Sequence, residues 1–231
     1  MRITKMSAIV AFIFCVVIES AAAQTQLDKG QYLDDLDLRD TKNGRDFILL
    51  HEFRYRDPKG TIWIVPSEAT VNGASIPRLL WSTIGSPWTG LYRRASVIHD
   101  YFYNRPMYGS NKIHRVFYDA MITDGVDKTL ASIMYYAVVR FNPRWEEVPN
   151  DPYACEKERE AYKRRFGKES FVHCYPGYME DSSSTWVSHP VPEDSEDFGE
   201  VSALIRGSNM TIDQIETLAI DRHKQAEKAG R

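Results

Sequence analysis

A histidine and an aspartate adjacent in a predicted helix, His99 and Asp100, are the residues best suited to chemistry. Neighbouring side chains on a helix point about 100° apart, so these two do not easily bond to each other, but they can flank one site. There the imidazole acts on a water molecule as a general base, and the carboxylate binds a divalent cation or orients the site. Tyr103 stands one helical turn beyond His99 and is placed to support either group.

A second histidine, His114, lies in the next predicted helix. Because the connection between the two helices is short, we expect them to pack antiparallel and to bring His114 or Asp119 towards His99. Two histidines and a carboxylate are typical of a general-base site or of a site for calcium or zinc. The alternative is structural: a helix histidine among tyrosines is commonly a hydrogen-bonded core residue, and Asp100 then pairs with an arginine such as Arg94.

A loop with the sequence Asn-Gly-Ala-Ser-Ile-Pro-Arg precedes the helix of His99. Gly73 lets backbone amides turn inward, while Asn72, Ser75 and Arg78 add polar and charged side chains. Together with Tyr103, the loop is therefore a candidate substrate-binding segment, which holds an anion or turns carbonyl groups towards a cation. Ordinary turn chemistry accounts for Asn72 and Ser75 equally well.

The first 23 residues have the features of a secretory signal peptide. A positive start precedes the apolar run 7–18, and Ala21–Ala23 is a small-residue cleavage site. The run is shorter than the ~20 residues of a spanning helix, so we expect cleavage after Ala23 and no integral membrane span afterwards; the alternative is an uncleaved anchor. We therefore expect a periplasmic or secreted protein whose partner is an envelope component or another exported protein.

Charge argues against a nucleic-acid partner. The chain has a formal net charge of −3, whereas a surface that binds nucleic acid needs a basic face.

The apolar pattern predicts an α+β protein in which a β-hairpin or small antiparallel sheet packs on a three-helix unit. Residues 47–55 and 61–65 are rich in β-forming types and flank a turn with a proline and a glycine. Three helices follow at 91–104, 110–123 and 127–140. The third helix has apolar residues at three- and four-residue spacing, which predicts one face against a core.

The composition changes after residue 145, which ends the predicted domain 24–145. Cys155 and Cys174 lie in a charged extension, 146–180, and two thiols in an exported protein predict a disulfide worth ~3 kcal/mol. Zinc is the less favoured reading, since only His173 lies near these two cysteines. Residues 181–231 are predicted to be an acidic flexible segment that ends in a C-terminal helix.

The ordered motifs of the chain resemble a family of bacterial and bacteriophage domains of unknown function, DUF1353. The resemblance covers about 47–145, and its motifs are Val65–Pro66, Asn72–Arg78, Arg94–Tyr103, Phe117, Ala120–Met121, Gly125–Val126 and Tyr136–Arg140. The family usually has aspartate where this chain has Asn72, and an Ala-Asp pair where it has Ile113–His114. If those two carboxylates hold a metal in the family, the resemblance implies that the corresponding site in this chain has lost a negative charge at both positions.

The His-Asp pair followed by Tyr103 is also similar to the active helix of secreted calcium-dependent phospholipases A2. That similarity implies that His99 activates water and that Asp100 binds calcium. The chain lacks the cysteine framework and the glycine-rich calcium loop of those enzymes.

Two functional hypotheses follow. One is an exported hydrolase that acts on a lipid or wall component, with His99 as the base and His114 assisting. The other is a non-catalytic envelope or phage-derived interaction module in which His99 and Asp100 are structural.

Overall fold

The computed structural model describes residues 30–43, 46–73, 77–78, 80–81, 90–105, 108–149, 153–167, 174–176 and 184–229. The predicted signal peptide and Ser75 lie outside these residues. The described strands are β1 (Gln31–Tyr32), β2 (Leu38–Asp40), β3 (Phe47–Leu49), β4 (Phe53–Arg56), β5 (Ile62–Val65), β6 (Thr70–Val71), β7 (Arg144–Pro149), β8 (Cys174–Pro176) and β9 (Ser184–His189). The described helices are α1 (Arg93–Tyr103), α2 (Ser110–Thr123), α3 (Lys128–Phe141), α4 (Ala154–Phe166), α5 (Ser195–Gly207) and α6 (Ile212–Ala229).

The strands form three small antiparallel sheets, with the orders β1-β4-β5, β2-β3-β6 and β7-β9-β8. The predicted hairpin is confirmed for β4 and β5, where Tyr55 is opposite Trp63. Its turn is held by Asp57, whose carboxylate accepts the indole Nε1–H of Trp63 at 3.0 Å, and Gly60 takes a φ of 85°. The protein is therefore α+β, as the apolar pattern predicts.

The run 47–55 is not one strand, as the sequence pattern suggests, but two. β3 pairs with β2 and β6 in a separate sheet, and the amide of Leu50 donates to the carbonyl of Asp37. The chain therefore changes sheet between β3 and β4. The partners of β3 come from segments on both sides of the hairpin, which local propensity does not reveal.

The three predicted helices are confirmed, and the sheet of β1, β4 and β5 packs on the first two. Trp63 makes an edge-to-face contact with Phe102 of α1, with ring centroids 4.9 Å apart. The hydroxyl of Tyr32 donates to the carbonyl of Ala120 in α2. This layer of sheet on helix contains much of the core and fixes the positions of α1 and α2.

Helix α3 is buried on every side, although its sequence predicts a single buried face. Every residue from Ala131 to Phe141 is buried. Helices α2, α5 and α6 all pack against α3. Such a helix needs apolar residues around its whole circumference.

Much of the segment predicted to be acidic and flexible is regular structure instead. Residues 184–189 form β9, which pairs with β7, and residues 195–207 form α5. The Asp194 carboxylate caps α5 by accepting the amides of Glu196 and Asp197, and acidic residues in a first turn are favourable to the helix dipole. Phe198 and Val201 are buried in the core, so this part of the chain contributes to the folded unit.

None of the helices in the described part of the chain is both long enough and apolar enough to cross a membrane.

Candidate functional site

The two predicted histidines meet between α1 and α2. The Nε2 atom of His99 lies 2.9 Å from the Nδ1 atom of His114, so one ring donates a hydrogen bond and the other accepts it. This confirms the prediction that a short connection brings His114 to His99. The ring of His99 also contacts Tyr103 and Phe117, with centroids 5.5 and 4.8 Å away. The pair thus forms part of an aromatic cluster.

The histidine pair is enclosed: 0 % of His99 and 2 % of His114 is exposed. Burial lowers the pKa of His99 to about 3, because a charged imidazole loses its hydration there. Burial also lowers the pKa of His114, and repulsion from His99 and His223 adds to the effect. Both rings are therefore neutral at pH 7.

Asp100 binds the loop that the sequence singles out. Its Oδ2 atom accepts the backbone amide of Asn72 at 2.7 Å and that of Gly73 at 3.3 Å. The carboxylate is buried, and Gly73 has a φ of 66°, a conformation that favours glycine. The structure thus brings Asp100 to the loop, with the backbone of the loop as the contacting group.

Two further predicted residues have partners elsewhere. The hydroxyl of Tyr103 donates to the carbonyl of Pro143 at 3.0 Å, and the indole of Trp145 donates to the carbonyl of Tyr103 at 3.2 Å. Arg78 has an exposed side chain, and its amide donates to the carboxylate of Glu193 at 2.9 Å. Tyr103 therefore links α1 to the end of α3, while Arg78 is tied to the segment before α5.

Asp119, the alternative partner of His99, pairs with Arg115 instead, at 3.9 Å. Burial raises the pKa of Asp119 to about 6, against the opposing effect of Arg115.

A third buried histidine, His223 of α6, was not singled out in the sequence. One ring nitrogen lies 2.8 Å from the carbonyl oxygen of Arg140, and the other lies 3.5 Å from Glu227. Glu227 also accepts two hydrogen bonds from Arg144. Burial alone would raise the pKa of Glu227, but bonding to His223 and Arg144 outweighs it and lowers the pKa to about 2. The spacing of four between His223 and Glu227 in a predicted helix is the signal that identifies this pair.

The described residues contain no group of three or more histidine, cysteine, aspartate or glutamate side chains suited to holding a metal ion. Within this part of the chain, His99 and His114 bond to each other and Asp100 bonds to two amides. The arrangement is therefore one of hydrogen bonds that join α1 to α2 and to the loop.

Comparison with known proteins gives a family but no activity. A family model described as "Protein of unknown function (DUF1353)" matches residues 47–138. The uncharacterized protein y4iH of Sinorhizobium fredii (strain NBRC 101917 / NGR234) is 35% identical over 177 residues, which cover 76% of this chain and 71% of that protein. The uncharacterized protein y4jT of the same strain is 44% identical over 99 residues, or 43% of this chain and 30% of that protein. No solved structure matches the chain.

The family match includes all three residues of the predicted catalytic set, His99, Asp100 and His114, and ends before Arg144, His223 and Glu227. The motifs quoted from the sequence and the similarity to y4iH lead to the same conclusion. The chain belongs to the DUF1353 family.

Proposed function

We propose that this protein is an exported, non-catalytic interaction module in which His99, Asp100 and His114 hold the fold together. The observation that carries the proposal is the enclosure of all three side chains, each bonded to neighbouring protein atoms. Export is proposed from the N-terminal sequence alone, and the partner is an envelope component or another exported protein.

The competing proposal, an exported hydrolase, needs His99 as a general base. An effective base has a pKa near the working pH, whereas burial lowers the pKa of His99 to about 3. Such a ring is a weak acceptor for a proton from water. A pKa this low and the bond to His114 favour the structural role.

An apolar surface on β5 supports the interaction role. Ile62 and Ile64 are 46 % and 45 % exposed, and they share one face because side chains alternate along a strand. β5 is an edge strand among the described strands of its sheet. Arg56 and Arg54 lie opposite Ile62 and Ile64 on β4. An exposed edge of this kind accepts an extended peptide as an added strand. Arg56 favours an acidic side chain in that peptide, whereas Arg54 already pairs with Asp34.

The structural role predicts a large loss of stability when the histidine pair is broken. His99→Ala leaves the His114 ring without its partner, and we expect it to lower the free energy of unfolding by at least ~2 kcal/mol. The matched control His51→Ala changes an exposed histidine, with an expected effect within ~0.5 kcal/mol. Urea titration followed by tryptophan fluorescence measures both. A His99→Ala variant with wild-type stability that loses a hydrolytic activity of the wild type would establish the hydrolase instead.

The binding role is tested on β5. An envelope protein captured by the wild type is identified, purified and titrated against the variants. We expect Ile62→Asp with Ile64→Asp to weaken binding at least ~10-fold, because a charge replaces each apolar contact. Leu204→Asp is the control, since Leu204 is 48 % exposed on α5. Equal affinity of both variants for the purified partner would exclude β5 as the contact.

A further inference from the structure

A cleft of about 530 Å³ opens between the end of α3, the start of α5 and the last turns of α6. Its walls include Arg140, Phe166, Pro192, Asp194, Arg222 and Ala226. The volume is within the range of small-molecule sites, ~300–1,000 Å³. The cleft is separate from the enclosed histidine pair, and the residues that line it lie outside the family match at 47–138.

We propose that this cleft binds a small zwitterion with an apolar side chain, namely a free α-amino acid. The ligand carboxylate bonds to Arg140, and the ligand ammonium group lies near the acidic rim. This function goes beyond the interaction role proposed for β5.

The guanidinium of Arg140 supplies the anion-binding group. Arg140 is 4 % exposed, and its Nε atom donates to Asp197 at 2.7 Å. Its Nη1 atom is also buried but has no hydrogen-bond partner among the described residues. A buried donor without an acceptor is unfavourable, and a guanidinium fits a carboxylate with two parallel hydrogen bonds. A ligand carboxylate supplies the missing acceptor.

The charge of Asp197 does not prevent this binding, because it is already balanced. Asp197 accepts hydrogen bonds from Arg140, from the Tyr136 hydroxyl at 2.9 Å and from Arg222 at 2.9 Å. Arg222 also pairs with Glu200 at 3.1 Å. Two guanidinium groups therefore face two carboxylates, and the Nη1 donor of Arg140 is left over.

The rim of the cleft selects the ligand. Glu193 and Asp194 line it and are exposed. Glu193 accepts the amide of Arg78, and Asp194 caps α5, so both carboxylates are fixed in position. Two negative charges at the mouth repel a dianion such as phosphate and attract an ammonium group. Phe166, Pro192 and Ala226 form apolar walls for the rest of the ligand.

A matched series of probes tests the charge requirement by isothermal titration calorimetry on the full chain. L-Phenylalanine has both charges, phenylpropionate has only the carboxylate, and phenethylamine has only the ammonium group. We expect L-phenylalanine to bind about tenfold more tightly than phenylpropionate, since one charged contact has that effect. Phenethylamine and inorganic phosphate are expected not to bind.

Two variants assign the contacts. Arg140→Lys removes the planar donor group, and we expect it to weaken the binding of both L-phenylalanine and phenylpropionate at least ~10-fold. Arg206→Lys, on the exposed part of α5, is its control. Glu193→Gln with Asp194→Asn removes both rim charges but keeps both hydrogen-bond acceptors, because asparagine caps a helix as well as aspartate does. That double variant is expected to bind L-phenylalanine no more tightly than phenylpropionate.

The proposal is overturned if the wild type shows no saturable binding of either carboxylate probe, or if Arg140→Lys binds both as tightly as the wild type. Circular dichroism verifies that each variant is folded. If Arg140→Lys fails to fold, the variant with Glu193→Gln and Asp194→Asn still tests the proposal. An unchanged preference of that variant for L-phenylalanine over phenylpropionate would show that the ligand ammonium group does not lie at the acidic rim.

Discussion

The buried histidine pair predicts a steep loss of stability in mild acid. The perturbation is pH alone, from 7.5 to 5.0. Burial lowers the pKa of His99 from 6.5 to about 3 and lowers that of His114 in the same direction. The unfolded chain therefore binds more protons than the folded chain below pH 6.5, and the contribution of the pair is fully present above pH 6.5 and is lost as the pH falls.

The magnitude follows from the pKa difference. Each histidine that stays neutral in the folded state costs ~1.4 kcal/mol per pH unit below its unfolded pKa. Between pH 6.5 and 5.0 this amounts to ~2 kcal/mol for His99, and His114, whose pKa is lowered in the same direction, adds to the loss. Domains are commonly stable by only ~5–15 kcal/mol, so the effect is large. Asp119 opposes it, because burial raises its pKa to about 6 and the folded state then binds the extra proton.

A variant separates the histidines from the other titrating groups. His99→Gln with His114→Gln can keep a hydrogen bond between α1 and α2 but places no titrating side chain at either position. Urea unfolding, followed by tryptophan fluorescence, to which the buried Trp63 contributes, gives the free energy of unfolding at each pH. We expect the wild type to lose at least ~2 kcal/mol more stability than the variant between pH 7.5 and 5.0. Equal pH slopes would refute the enclosed, neutral pair.

Three further predictions concern other parts of the chain. Asp100→Ala removes the carboxylate that accepts the amides of Asn72 and Gly73. We expect the free energy of unfolding to fall by ~2 kcal/mol or more and the loop to be cleaved faster by proteases. Cleavage of the loop at the wild-type rate would show that Asp100 does not hold it. Cys155 and Cys174 are expected to be disulfide-bonded in exported protein, so that an alkylating reagent without reductant adds no mass to either cysteine. Alkylation of either cysteine would contradict the pairing. N-terminal sequencing of exported protein is expected to begin at Gln24, and recovery of the intact N-terminus would favour the uncleaved anchor.

The parts of the fold that the sequence predicts are those set by local signals. The β4–β5 hairpin follows from a turn with Asp57 and Gly60, and α2 ends at Thr123, just before Gly125 with its φ of 80°. The approach of His114 to His99 follows from the short connection between two helices. Each of these features depends on residues that are close in the sequence, at most 15 positions apart.

The parts that the sequence does not predict depend on distant partners. β3 is a separate strand from β4 of the hairpin, because it pairs with β2 and β6 in another sheet. The acidic composition around Asp194 and Asp197 is typical of a mobile segment, but these carboxylates accept amides of α5 and hydrogen bonds from α3 and α6. Whether His99 is enclosed or open is likewise decided by the surrounding elements, so its residue type alone leaves both roles available.

The burial of α3 bears on how far the folding unit extends beyond the region that the family model matches. The family model ends at residue 138, yet α3 continues to Phe141 and is buried on the side that faces α5 and α6. Without those two helices, apolar residues such as Phe141 would face water, and a contiguous exposed apolar surface is unfavourable. The alignment with y4iH spans 177 residues, well beyond the matched family region. The physical folding unit is therefore longer than the family motif, and Asp197 of α5, bonded to both Tyr136 and Arg140, is one of the groups that complete it.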